Sequence, residues 1–198
     1  MIRLLLLSLA IALAVPARGD EAHPAGPVLL VARADLPDPN FAESVVLVTR
    51  RGPAGALGVI INRPTTIPLA RVFPDEGKLG GREDRLYFGG PVSRMQMVFV
   101  FRADSRPDEA VEVLEGVYLS TDGDLLRKRL GAGGTGEGLR VFAGHAGWAP
   151  GQLEAEIERG DWRLMRPEAG AIFSRKPEGL WPELDRRASL TTVLDARP

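Results

Sequence analysis

Residues 143–162 read AGHAGWAPGQLEAEIERGDW, and this stretch decides how the rest of the chain is interpreted. It holds one of the two histidines and two of the three tryptophans in a sequence of 198 residues. Pro150 suits the first position of a helix, because its missing N–H would have no helical partner there. Gln152 then falls where a side chain can reach back to the cap backbone, as in a capping box. The pattern predicts a helix that starts at Pro150.

The residues around that start predict how the helix is attached to the fold. Trp148 and Leu153 have the spacing of a hydrophobic staple, which fixes the angle at which the chain enters a helix. Leu153 and Ile157 lie four residues apart and supply a buried face. Glu154 lies near the positive end of the helix dipole, and Gly160 is placed to end the helix. We therefore interpret most of this stretch as structural rather than as an active site.

His145 is the exception, because no rule of helix formation asks for an imidazole at its position. We expect it between a strand and a tight turn over residues 144–147. A functional His145 would be a proton donor, a ligand contact or a pH-sensitive switch. A structural His145 would be partly buried and bonded to a backbone carbonyl. The sequence leaves both interpretations open.

Short apolar runs along the chain predict one mixed α+β domain. Such runs, bounded by glycine, proline and polar residues, are typical of buried strands. Two helices are expected besides the one at Pro150, one near 69–73 and one that begins with a capping box at Thr121. Pro64 is expected to end the third strand. The predicted strands cover 28–31, 44–49, 57–62, 85–88, 97–101, 116–119, 139–144 and 171–173, and the second and third of them form a hairpin.

The composition excludes several classes of function. Lysines and arginines number 25 against 26 acidic residues, so the formal net charge is −1. Nucleic-acid binding needs a basic face, and nothing in this balance predicts one. The sequence contains no cysteine, which excludes disulfides, thiolate metal sites and cysteine nucleophiles. We expect neither a cofactor nor a metal, and a partner that is a protein or a small molecule of unknown identity.

The first residues, MIRLLLLSLAIALAVPARGD, predict export. The apolar run over 4–15 is shorter than the roughly 20 residues that span a bilayer, and small residues follow it. We therefore expect residues 1–19 to be a secretory signal peptide, cleaved between Ala17 and Gly19. The protein would then be periplasmic or secreted, without a membrane span after cleavage. The folded domain is expected over 26–184, with a loose tail over 185–198.

Catalytic sites of the familiar kinds are hard to assemble from this sequence. His23 lies in the N-terminal tail, so a metal site would need carboxylate partners around His145 alone. Ser44 and Ser93 are available as nucleophiles, but neither lies in a G-x-S-x-G motif. Residues 88–91 (FGGP) lack the Gly-Lys-Ser/Thr that completes a phosphate-binding loop, so a turn is expected there.

Four polar or aromatic residues at the ends of apolar strands form a candidate ligand site. Strand ends can converge on one pocket, and Asn62, Arg63, His145 and Trp148 could then line a site for a small ligand or a peptide. The alternative is structural: Asn62 would adopt a strained turn conformation and cap nearby backbone.

Four stretches together make the chain resemble the YqgE/AlgH family, also called UPF0301 or DUF179. They are LPDPNFAESVVLV (36–48), GALGVIINRP (55–64), YFGGPV (87–92) and GHAGWAPGQLEAEI (144–157), and the resemblance covers about 26–184. The positions within these stretches that we assign to the architecture are Gly55, Gly58, Pro64, Gly89, Gly90, Pro91, Gly144, Gly147, Pro150, Gly151, Gln152, Leu153 and Glu154.

The resemblance implies a fold but no established reaction. It implies a single compact α+β domain in which a bifurcated sheet of mixed and antiparallel strands curls into a pseudo-barrel, flanked by a few short helices. Members commonly carry a histidine after the second strand, where this chain has TRRG at 49–52, and they are usually cytoplasmic. We therefore expect a non-catalytic, exported binding or accessory protein. The alternatives are a hydrolase with His145 as general base and a cytoplasmic transcriptional regulator, the label given to some members.

Overall fold

One strand, β9 (Leu139–Trp148), organises the sheet, because it contacts three other strands along its ten residues. This is seen in a computed structural model, which describes residues 26–52, 55–76, 84–132 and 138–195. The expectation of a strand that stops at Gly144, followed by a tight turn, is wrong. Gly144 has φ +71°, so the strand kinks there and continues to Trp148.

Within the part of the chain that the structure describes, nine further strands and five helices surround β9. The strands are β1 (Val28–Ala32), β2 (Val45–Gly52), β3 (Gly55–Ile60), β4 (Pro64–Pro68), β5 (Arg85–Phe88), β6 (Val92–Arg102), β7 (Val111–Leu114), β8 (Val117–Ser120) and β10 (Trp162–Met165). The helices are α1 (Leu69–Val72), α2 (Gly123–Gly131), α3 (Gln152–Glu158), α4 (Ala169–Ile172) and α5 (Leu180–Asp195), with a 3₁₀ turn at Pro177–Gly179.

The strands form one sheet that divides at β9. The order along the main path is β10-β1-β2-β3-β9-β6-β8-β7, and β5 pairs with both β4 and β9. One side of β9 is paired with β6, and the other side is shared by β3 and β5. The β5–β9 pairing is parallel, while the other pairings among the described strands are antiparallel. The predicted α+β fold with a bifurcated, curled sheet is confirmed.

Alternation along the strands produces an inner core and two outer ones. Alternate residues of β1, β2, β3, β6 and β8 point into the curl and pack with residues of α4 and α5. The opposite face carries one cluster under α3 and another under α1 and α2. Both faces of the sheet are therefore covered, as consecutive apolar residues in the strands predict.

Two expectations for the C-terminal part are wrong. Residues 171–173 are not a strand: they lie at the end of α4, whose Ile172 N–H donates to the carbonyl of Glu168. Three apolar residues are too few for their spacing to distinguish a strand from one helical turn. The tail expected to be loose over 185–198 is instead helical up to Asp195, the last residue of α5, and residues 196–198 lie outside the described residues. Ala188 of this helix is buried, and Asp185 accepts a hydrogen bond from Arg163 of β10 at 2.9 Å.

Other boundaries differ by a few residues. The predicted hairpin exists, but β2 and β3 extend further toward each other than expected. Pro64 begins β4 rather than ending β3. Strands β4, β7 and β10 were not predicted. The cap of α2 is Asp122, whose side chain accepts the Leu125 N–H at 2.7 Å, one residue later than predicted.

The predicted signal peptide and His23 lie outside the described residues. Within the described ranges, no helix combines the length and the apolar character needed to cross a bilayer.

Candidate functional site

Gly89 lies at the point where the sheet divides. Its N–H donates to the carbonyl of Ala143 on β9, and its own carbonyl accepts from the Ile60 N–H at the end of β3, both at 2.9 Å. A Cβ atom at this position would lie 2.3 Å from the Gly144 carbonyl oxygen. Only glycine fits so close to another backbone, so residue 89 serves to join the two branches of the sheet.

The next residue, Gly90, makes a second approach of the same kind. A Cβ atom on Gly90 would lie 2.3 Å from the carbonyl carbon and oxygen of His145, and one on Gly144 would lie 2.6 Å from the Gly90 oxygen. The stretches YFGGPV and GHAGW thus meet backbone to backbone. These glycines are among the positions expected to be architectural, but no pattern in the sequence predicts this junction.

Asn62 caps the chain that enters β2. Its Oδ1 accepts the N–H of buried Val45 at 2.8 Å, and its Nδ2 donates to the carbonyl of Glu43 at 2.9 Å. The positive φ in this region, 54°, is at Glu43 rather than at Asn62. Asn62 therefore bonds to local backbone at both ends of its amide, and the strained conformation belongs to the residue it holds.

Arg63 holds the same loop from one residue further on. Its Nη1 donates to the Asn40 carbonyl at 2.6 Å and its Nη2 to the Ala42 carbonyl at 2.8 Å. Partial burial lowers the pKa of the guanidinium, and the charge of Asp38 partly offsets that effect. An arginine stays protonated under such shifts, so Arg63 remains charged while it donates both hydrogen bonds to the loop.

Trp148 belongs to an aromatic cluster built around Glu156. One carboxylate oxygen of Glu156 accepts the indole N–H groups of both Trp148 and Trp162, each at 2.9 Å. Its other oxygen accepts from Gln152 at 2.9 Å, and Phe41 stacks on Trp148 with ring centroids 5.8 Å apart. Glu156 was not predicted from the sequence, although its position four residues after Gln152 on the same helix places the two side chains next to each other.

At the start of α3 the predicted capping contact of Gln152 is present, but the helix begins two residues later than the predicted Pro150. The Ala149 N–H donates to Gln152 Oε1 at 3.1 Å, as in a capping box. Trp148 and Leu153 pack in one buried cluster, as expected of a staple. The helix itself begins at Gln152, because Gly151 has φ +76° and breaks the helical path after Pro150.

His145 lies on β9 opposite Val92 of β6. Its Nδ1 is buried and has no hydrogen-bond partner in the described part of the chain. Burial also lowers the pKa of the imidazole, so His145 is neutral at neutral pH. A neutral imidazole can accept a proton, which is the chemistry that a general base requires.

The two candidate nucleophiles differ in access. Ser44 is fully buried, so a substrate cannot reach its hydroxyl. Ser93 follows Val92 on the exposed part of β6 and has φ 47°. Among the residues that the structure describes, no group of three or more histidine, aspartate and glutamate side chains could hold a metal ion.

A cavity of about 710 Å³ lies beside two of the four candidate residues. Asn62 and Arg63 line it together with Glu43 and Trp181. The described lining of this cavity includes neither His145 nor Trp148. The structure thus brings Asn62 and Arg63 together at one cavity and places Trp148 in the aromatic cluster.

Comparison with known proteins identifies relatives along most of the chain. The family model of AlgH-like proteins, DUF179, matches residues 29–192. A UPF0301 protein from Streptomyces avermitilis is 38% identical over 168 residues, covering 80% of this chain and 84% of the relative. One from Methylococcus capsulatus is 38% identical over 165 residues, with 81% and 90% covered.

Two solved structures resemble the fold. A Corynebacterium diphtheriae protein superposes with a TM-score of 0.69 at 27% identity, covering 83% of this chain and 87% of its own. The AlgH protein from Pseudomonas aeruginosa superposes with a TM-score of 0.65 at 28% identity, covering 90% and 97%. The four sequence stretches, the divided sheet and these matches agree, and the chain belongs to the AlgH-like UPF0301 family.

Proposed function

We propose that this chain is a non-catalytic binding or accessory protein that is exported from the cytoplasm. One observation carries the proposal: three polar side chains of the distinctive stretches, Asn62, Arg63 and Glu156, bond to the protein's own backbone and side chains. Asn62 and Arg63 bind the loop before β2, and Glu156 binds two indoles. Groups fixed in this way position structure and are not presented to a substrate.

A screen of hydrolase substrates tests the non-catalytic part of the proposal. The purified protein is assayed against ester, amide, phosphoester and glycoside substrates, beside a His145→Ala variant. We expect no turnover above that of the variant. Turnover that disappears in His145→Ala would overturn the proposal.

The second candidate function is hydrolysis with His145 as general base. It is favoured by the buried Nδ1 and the lowered pKa of that imidazole, which keep it unprotonated at neutral pH. Ser93 lies on the neighbouring strand, but the hydrogen bonds of the described residues include none between Ser93 and His145. The same screen with a Ser93→Ala variant separates this candidate from background hydrolysis.

Export is supported by the apolar run and small residues at the N-terminus. Mass spectrometry of the protein purified from its native cell tests it: we expect a mature chain that begins between residues 18 and 20, recovered outside the cytoplasm. A chain that retains residues 1–17 inside the cell would contradict export and favour the regulatory alternative. Cross-linking in the same cells, followed by mass spectrometry, identifies the partner.

A further inference from the structure

A second cavity, of about 850 Å³, lies at the far end of β6, away from the residues discussed above. It is formed by the end of that strand, the loop that follows it, the turn at Gly116 and residues of α2 from Leu125 to Arg129. Its volume falls in the range of sites that bind metabolite-sized ligands, about 300–1,000 Å³.

The charges that line this cavity differ from those of the whole chain. The residues that line it include four that carry a positive charge, Arg102, Arg106, Lys128 and Arg129, and two that carry a carboxylate, Asp104 and Glu109. The chain as a whole carries a formal net charge of −1. A concave surface with a local surplus of two positive charges, on a protein that is otherwise slightly acidic, attracts anions specifically to this place.

Neighbouring groups already hold the arginines in place. The guanidinium carbon of Arg129 lies 4.5 Å from the centre of the Phe101 ring, and that of Arg102 lies 4.7 Å from the centre of the Phe173 ring. Arg106 donates from Nε to the Ala110 carbonyl at 3.0 Å. Side chains that are ordered beforehand lose less conformational entropy when a ligand binds.

The helix dipole explains only part of this cluster. Lys128 and Arg129 lie in the last turn of α2, where positive charges stabilise a helix. Arg102 and Arg106 come from the end of β6 and the following loop, and the dipole gives no reason for them to line the same cavity. Convergence of cations from two elements is what recognition of an anion requires.

We propose that this cavity binds a phosphate-bearing small molecule. Guanidinium groups offer paired N–H donors that match the oxygens of a phosphate, and several of them can share its two charges. The volume leaves room for more than a single ion. The inference deepens the binding function proposed above, since it gives that function a ligand class, and it rests on it.

Isothermal titration calorimetry with inorganic pyrophosphate and, separately, glycerol 3-phosphate tests the proposal. Pyrophosphate represents free inorganic phosphates and glycerol 3-phosphate represents phosphorylated metabolites. The probe that binds with the higher affinity therefore shows which of these two classes the cavity prefers. We expect saturable binding with one site per chain. Removing one charged donor with Arg106→Gln or Arg129→Gln should weaken it about tenfold, the effect of losing one charge-assisted hydrogen bond.

Arg127→Gln is the matched control. It removes the same charge from the same helix, but Arg127 pairs with Asp124 and does not line the cavity. We expect its affinity to stay within about twofold of the parent. Equal weakening in Arg127→Gln, or no heat of binding for either probe, would overturn the proposal. Because the readout is direct binding, such a failure leaves the result of the hydrolase screen unaffected.

Discussion

Gly144→Ala is expected to be among the most destabilising small substitutions in this protein. Residue 144 has φ +71°, a conformation that costs a residue with a Cβ about 1–2 kcal/mol. The new methyl group would also lie 2.6 Å from the carbonyl oxygen of Gly90 and 2.8 Å from that of Val92. Forcing a methyl group into such packing adds about 1–3 kcal/mol. The expected loss in the free energy of unfolding is therefore about 2–5 kcal/mol.

Gly151→Ala separates the two contributions. Its φ of +76° is nearly the same, but no atom lies within 4 Å of the added methyl group. It should lose only the conformational part, about 1–2 kcal/mol. Urea unfolding followed by circular dichroism measures the free energy of unfolding of both variants. Thermal unfolding gives a second readout, because in a chain of this size each kcal/mol lost lowers the melting temperature by about 2–4 °C. Equal losses in the two variants would refute the reasoning, because the close approach at Gly144 would then contribute nothing.

Three further outcomes are expected. Asn62→Ala removes the acceptor of the buried Val45 N–H, so urea titrations should show a free energy of unfolding lower by about 1–3 kcal/mol. An effect near zero would contradict the capping role of Asn62. Burial lowers the pKa of His145 in the folded protein, so the unfolded chain binds a proton more readily than the folded one. The free energy of unfolding should therefore fall as the pH decreases from the unfolded pKa of about 6.5 through the lower folded pKa. His145→Gln should flatten this part of the pH profile, and a profile that the substitution leaves unchanged would contradict the burial of the imidazole. Truncation after Leu184 removes buried Ala188 and should lower the melting temperature in calorimetry, whereas an unchanged value would restore the loose-tail interpretation.

Local signals in the sequence were sufficient for elements that are fixed by their own residues. The capping contact of Gln152 and the packing of Trp148 with Leu153 involve positions at most five apart, and both were predicted from spacing alone. The hairpin of β2 and β3 was predicted for the same reason. The curl and division of the sheet followed from resemblance to a family, since no local pattern encodes them.

Contacts distant in the sequence account for what was missed. Gly89 binds Ile60 and Ala143, which are far from it along the chain, so its place at the division of the sheet leaves no local pattern. The helical tail is likewise anchored by a bond from Arg163 to Asp185. The sequence around Gly89 is typical of a turn and that around Asp185 of a polar tail. The part each residue plays in the fold depends on tertiary contacts.

The candidate site illustrates the same division. Their position at the end of an apolar strand made Asn62 and Arg63 candidates for a ligand site, and the structure shows both of them bonded to local backbone. The role of the two residues depends on the loop at 40–45, whose carbonyl and N–H groups they bind. The sequence drew attention to the two side chains, and their backbone partners became visible only in the structure.

The late position of β9 in the chain has a consequence for biosynthesis. Its partners β3, β5 and β6 emerge from the ribosome first, and β1 waits still longer for β10. Until β9 and β10 have been made, β1, β3, β5 and β6 each keep one open edge, although the other edge of each can already pair. The sheet of the nascent chain therefore stays incomplete for most of its synthesis. Any factor that prevents the open strand edges from aggregating must act before Trp148, the last residue of β9, has been made.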